Sequence, residues 1–427
     1  TNAGCHACSG LNNISIGCDA AKTLTSGSNN IALGQGVMAT GVVTGDENIV
    51  LGCTAGNDIT SGSNNILLGE AAGATLATAS NNIALGQLSL GTGVVTGGHN
   101  IAIGCKSGEN ALGACANIFL GTYSGNDITT GGYNVILGHF AGAQISGGGE
   151  NIAVGRLSMG AGNVTGCCNV FLGVYSGCKM TSGHRNIALG LSALCGASTV
   201  DDTIAIGRLS GKAAGGGNNN LFLGPYSGSQ NGTAADNDAS NNIAIGYATG
   251  CGLTDGDNNI FMGNSAGAQT TTGAANVMIG NYAGQCHVSG GENVYISHCA
   301  GRCMCDGSTN IAIGQHALQG SSTVGNNTGS DNIAIGKNTA CVITGGSENV
   351  IVGKNAGQSV SSGSYNVLLG KAAGNAITSG SNLIAIGQGA LNAEDTNTNG
   401  SVAIGQDALS VQNTTGLGNV AVGKDAG

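Results

Sequence analysis

The residues with most chemistry to offer in this chain are its cysteines, 16 among 427 residues. A thiol can close a disulfide, hold a soft metal or attack as a thiolate. Cys178 and Cys195 are 17 residues apart, as are Cys286 and Cys303. Each pair shares a phase of the repeat described below, and coils stacked about 4.8 Å apart would bring both pairs within disulfide reach. These four are the candidate disulfide cysteines, and they suit an oxidising extracellular setting. Free buried thiols in a reducing compartment are the alternative. Others, such as Cys18 and Cys53, have no same-phase neighbour one coil away and read as small buried hydrophobes.

The densest group of potential metal ligands is Cys286, His287, His298, Cys299, Cys303 and Cys305, with Cys5-His6-Ala7-Cys8 as a second group. A zinc assignment wants two paired Cys-x-x-Cys knuckles at fixed spacing. The chain lacks them, so no metal and no cofactor is expected. Catalysis has less support still. Carboxylates such as Asp46, Glu47, Glu150 and Asp201 fall in turn-like segments, no Ser sits in an elbow motif, and phosphate-cradling loops are absent. The expectation is therefore a protein that is not an enzyme. Glycosylation sequons occur at Asn13, Asn163, Asn231, Asn326, Asn399 and Asn413. In so Asn-, Ser- and Thr-rich a chain most are coincidental, and the inserted segments at Asn231 and Asn326 suit a glycan best.

What positions these residues is a repeat. The core reads Asn, aliphatic, any residue, aliphatic, Gly, as in Asn30-Ile31-Ala32-Leu33-Gly34, and it recurs 24 times from Gly17 to Gly423. Of the 23 intervals, sixteen are 17 residues, five are 18 and two are 22. Each copy predicts one short strand. A unit this small cannot bury its own apolar face, whereas stacked units share a continuous core. The expected fold is all-β, a parallel β-solenoid or β-roll of about 24 coils with 17–18 residues per coil, spanning 1–427 as one continuous domain. At about 4.8 Å per coil such a rod would be on the order of 115 Å long. The first and last tetrads match in phase, which predicts ends that continue the stack.

The opening Asn is present in 21 of the 24 copies, with Thr203, Leu383 and Ser401 as exceptions. A column of amides that both donate and accept predicts a ladder from coil to coil through Asn30, Asn65, Asn82, Asn134, Asn151, Asn186, Asn242, Asn310 and Asn366. The residues three and one before the Gly are always apolar, so period-2 patterning predicts that these two face the interior. The middle residue is then the outward one. It is bulky in eleven copies, and in each of those the residue four after the Gly is itself Gly. Volume is being traded between two positions that fill one space. Phe119, Phe171, Phe222 and Phe261 sit at this middle position and form the candidate association face, covered by a neighbouring chain or by a second layer of the same coil.

Composition narrows the class. With 81 Gly, one Pro, 3% aromatic and 8% charged residues, the chain is neither an ordinary globular domain nor collagen, and 41% apolar content argues against disorder. The net charge is −10 and the 12 Lys and Arg are scattered, so no nucleic acid partner is expected. No apolar stretch approaches the roughly 18 residues of a membrane span.

Segments such as Ser80-Asn81-Asn82-Ile83-Ala84-Leu85-Gly86 resemble the head repeats of trimeric autotransporter adhesins. They are closer still to the Asn- and Gly-rich β-roll repeats of bacteriophage tail fibres. The resemblance covers the whole chain and implies a parallel β-roll displayed for attachment, with a trimer among the possible assemblies. The function expected is a structural subunit or shaft of an extracellular or virion-surface fibre whose partner is itself, as a homo-oligomer or filament. The alternative is an adhesin or receptor-binding fibre that takes cell-surface glycans or a receptor. A further alternative is an ice-binding solenoid, suggested by turn threonines Thr25, Thr60, Thr129 and Thr181.

Overall fold

The computed structural model describes residues 2–4, 9–160, 162–212, 215–229, 238–321, 327–392, 399–410 and 418–427. Among them there are 24 strands of three residues each and no helix. Every strand is the aliphatic-x-aliphatic core of one repeat, so the fold is a parallel β-solenoid with one strand per coil. The Asn before each strand turns the chain in and the Gly after it turns the chain out. At Gly138 the φ is +136°, and a Cβ there would fall 2.7 Å from the Gly155 carbonyl oxygen of the following coil. Close coil stacking therefore requires Gly at this corner. Ser297 holds the same corner at φ +114°, the one described copy that does so with a side chain.

The contacts divide the chain into two compact units, residues 1–212 and 213–427. The first holds twelve strands, β1 (Ile14–Ile16) to β12 (Ile204–Ile206), and the second twelve more, β13 (Leu221–Leu223) to β24 (Val420–Val422). Within each unit successive strands pair in parallel at identical repeat positions, as Phe119 opposite Ile136 and Phe261 opposite Met278. The 22-residue units keep this register: Phe222 faces Ala244, and Ala312 faces Ala334. Their additional residues leave the strand phase unchanged.

The interior reverses one sequence expectation. The middle strand residue is buried in its coil, and the flanking aliphatics face outward. Ile118 and Leu120 are 40% and 42% exposed, while Phe119 between them is fully buried. The four rings proposed as an outward association face are core residues: Phe119, Phe171 and Phe261 have no exposure and Phe222 has 3%. The physical reason is the narrowness of the coil. Its interior admits one strand side chain, small residues at the third position after the Gly such as Ala141 and Ser124, and a further aliphatic at the seventh, such as Ile59, Ile128 and Ile377. Two branched side chains per strand do not fit there, so they go outside.

The volume trade is a direct contact. A Cβ on Gly177 would lie 2.8 Å from the Phe171 ring, and one on Gly267 would lie 2.6 Å from the Phe261 ring. Rings also reach back one coil. A Cβ on Gly108 would meet Phe119 at 2.8 Å and one on Gly250 would meet Phe261 at 2.8 Å. That explains why these two coils keep Gly although their own middle residue is Ala.

Candidate functional site

The Asn column lies inside the coil wall, with Asn65, Asn82, Asn134, Asn151, Asn186, Asn242, Asn310 and Asn366 fully buried and Asn30 1% exposed. Its geometry repeats. Asn134 donates from its backbone N–H (2.8 Å) and from Nδ2 (3.0 Å) to Asn117 Oδ1, and Nδ2 also donates to Gly148 O at 3.0 Å. Asn134 Oδ1 in turn accepts both N–H groups of Asn151. Each amide is thus saturated by neighbours, which leaves no free group for a ligand. At two of the exceptions the incoming bond survives, since the backbone N–H of Thr203 and of Leu383 still donates to Asn186 and Asn366 Oδ1.

Cys178 and Cys195 form a disulfide between adjacent coils, their Cα atoms 4.8 Å apart. The sulfurs of Cys286 and Cys303 lie 4.0 Å apart with both thiols free. The hydrogen bond from Cys303, helped by the nearby Arg302 guanidinium, draws the Cys286 thiol down to about 6 against the opposing effect of burial. The six-residue cluster seen in the sequence separates into distinct environments. Cys286 and Cys303 make the thiol pair, and Cys305 is buried with its Sγ 3.4 Å from Cys303 O. His287 is fully buried in the core. His298 and Cys299 point to the coil edge, where His316 of the following coil joins them: one ligand atom from each lies within 4.8 Å of the others. Cys5, His6, Cys8, Asn231, Asn326 and Asn413 lie outside the described residues.

The carboxylates tie turns. Asp46 Oδ1 accepts the Ser28 N–H at 2.7 Å, Asp201 Oδ1 accepts the His184 N–H at 2.6 Å, and Glu150 accepts the Cys168 thiol at 3.4 Å. The turn threonines are similarly engaged: Thr25, Thr60 and Thr181 donate to Val43, Ala77 and Ser198 carbonyls of the following coil at 3.2, 2.8 and 2.9 Å. Thr129 donates to Ser146 O.

One feature passed unnoticed in the sequence. The second residue after the Gly adopts a left-handed φ, +58° at Tyr123, +54° at Phe140 and +58° at Tyr175. That conformation aims the side chain along the coil edge, so neighbours in the column meet. Tyr123 and Phe140 stack with centroids 4.6 Å apart and planes 2° from parallel, and Lys106 and Arg156 lie over Tyr123 and Tyr175 at 5.7 and 5.0 Å. The signal was available, since these aromatics all fall at one phase of the repeat. No helix among the described residues is long and apolar enough to cross a membrane. No protein-family model matches the chain, and no curated protein matches it significantly.

Proposed function

We propose that this chain is a structural subunit of an extracellular or virion fibre, acting through self-association and without catalysis. The observation that carries the reading is the outer face of the strands. Within each unit the positions flanking the buried middle residue form two adjacent columns of Ile, Val, Leu and Met. Several members, including Ile118, Leu120, Ile152, Leu172 and Ile313, are 37–42% exposed. Twelve strands contribute two side chains each, so the face offers apolar area on the order of 1,000 Å² per unit. Monomers rarely leave more than a few hundred Å² of contiguous apolar surface uncovered, and a standard interface uses about 800 Å² per partner. Polar residues such as Asn64, Glu150 and Arg185 border the face, in the manner of an interface rim. Sequence repetition favours a second copy as the partner, because its face has the same spacing.

The test is sedimentation and negative-stain microscopy of the purified chain beside a variant carrying Leu120→Lys, Ile152→Lys and Leu172→Lys. The reading expects concentration-dependent assembly of the parent, and a monomeric variant with unchanged β-structure. A parent that stays monomeric at high concentration refutes it. The adhesin alternative has one observation in its favour, the half-buried strip of Tyr123, Phe140 and Tyr175 with Lys106 and Arg156. Aromatic edges flanked by cations suit glycan contact, and a glycan-array signal lost in Tyr123→Ala/Tyr175→Ala would support it. Ice binding has no comparable support, because the turn threonines already donate to carbonyls.

A further inference from the structure

We infer that His298, Cys299 and His316 form a mononuclear site for a borderline divalent cation of the zinc type. One nitrogen or sulfur from each residue lies within 4.8 Å of the other two, and Cys299 Sγ is 3.7 Å from His298 Nε2. Zinc bonds of about 2.0–2.1 Å to nitrogen and about 2.3 Å to sulfur, at a tetrahedral angle, require N···S edges of about 3.6 Å. The measured edge already matches. A cation seated among the three atoms asks for small side-chain rotations and no backbone movement.

The scaffold is fixed in advance. The His316 backbone N–H donates to His298 O at 3.0 Å, and the Cys299 N–H donates to Asn281 O at 3.0 Å, so the coils that carry the ligands are tied at those residues. Cys299 and His316 occupy the same left-handed corner of successive coils, at φ +57° and +59°. His316 Nδ1 lies 3.0 Å from Gln319 Oε1. A hydrogen bond there selects the tautomer whose Nε2 keeps its lone pair, the usual service of an outer partner to a metal-binding imidazole. Tyr282 packs edge-on against the other side of His298, centroids 6.3 Å apart. Burial is graded across the site: Cys299 is 3% exposed, His316 half-buried and His298 exposed. Three protein ligands closed on the inner side leave the fourth, outer position to water or a further donor. One thiolate with two imidazoles selects zinc or a similar borderline metal over calcium or magnesium, which want oxygen.

Folding does not demand these residues. The same corner carries Ala at Ala71, Ala248 and Ala372 and Asn at Asn338 and Asn355. Cys299→Ala and His316→Asn therefore introduce side chains that the column accommodates elsewhere. The experiment uses the full chain, reduced and stripped with chelator, titrated with zinc by calorimetry and with cobalt(II) by absorption. One equivalent should bind, and cobalt should give a thiolate-to-metal charge-transfer band with tetrahedral ligand-field bands. Cys299→Ala should abolish the charge-transfer band, and both ligand variants should weaken zinc binding by at least about 10-fold, with Gln319→Ala weakening it by roughly 10-fold through the outer partner. Circular dichroism and the unfolding midpoint of the metal-free variants should match the parent. Absence of binding overturns the inference. So does binding unchanged in Cys299→Ala and His316→Asn, which would place the ion on the Cys286–Cys303 thiols or elsewhere.

Discussion

Asn134 occupies a position where nothing is exposed and every polar atom of the amide is used, so its removal has a definite cost. Asn134→Ala leaves the Gly148 carbonyl and the side-chain and backbone N–H groups of Asn151 short of a partner inside the coil. At roughly 1–3 kcal/mol for each buried group left unsatisfied, the variant should lose about 2–4 kcal/mol in denaturant unfolding. A loss under 0.5 kcal/mol would mean that water enters and the ladder is replaceable. His287 makes a second residue-scale case. It is fully buried, its Nε2 lies 3.2 Å from Asn293 Nδ2 and its Nδ1 3.5 Å from Thr270 Oγ1. Burial pushes its pKa down to about 4, with the Asp306 carboxylate opposing. The folded pKa lies below the unfolded value near 6.5, so the unfolded chain takes up the proton first. Stability is full above about pH 6.5, declines as pH falls through 6.5 towards 4, and levels off below. About 3 kcal/mol is at stake at 1.36 kcal/mol per unit. His287→Ile, which places at this core position the residue found at Ile128 and Ile343, should remove that part of the pH dependence in unfolding curves at pH 7 and pH 4.5. The Asn ladder could be read in the sequence because its chemistry repeats at fixed phase. His287 could not, because a single histidine in an aliphatic column carries no periodic signal, and its cysteine neighbours suggested ligands instead.

At the level of the coil, the sequence carried the decisive packing relation but not its direction. Period-2 alternation separates the two faces of a strand without saying which is inside, and two branched aliphatics against one small residue favoured the wrong choice. The better guide was compensation. Positions that exchange volume share a closed space, and only the interior is closed. Phe171 with Gly177 and Ala188 with Leu194 are the two solutions to the same space, found in consecutive coils. Phe171→Ala alone should cost about 3–5 kcal/mol as a cavity. Gly177→Leu alone should also destabilise, by driving its side chain into the ring that a Cβ would already meet at 2.8 Å. Together they rebuild the other solution, so the double variant should recover most of the loss. A double-mutant cycle gives the coupling directly, and strictly additive losses would contradict a shared space. The edge column with left-handed φ stayed illegible for a different reason. Non-glycine residues seldom take that conformation, so Tyr123, Phe140 and Cys299 gave no hint that they meet along the coil edge.

At the scale of the whole molecule, the strand count, register and parallel pairing were all legible, whereas the division into two units at residues 212 and 213 was not. In a stack where each coil touches only its neighbours, a boundary needs no linker and leaves the repeat unbroken. The same architecture decides how an assembly of this chain should respond to solvent. Its outer strand face is aliphatic and bears no charge, while the chain as a whole carries −10. Association through that face would be driven by apolar burial and opposed by like-charge repulsion. Both terms shift the same way with salt. Ions shorten the screening length to about 8 Å at physiological strength and weaken the repulsion, and sulfate strengthens apolar burial by exclusion from the surface. The assembly should therefore grow with added sodium chloride, grow further in sodium sulfate at equal ionic strength, and weaken on cooling towards 4 °C as hydrophobic association does. Light scattering across these conditions checks it. An assembly that dissolves as salt is raised would be held by ion pairs, and the aliphatic face would then have to be covered in some other way.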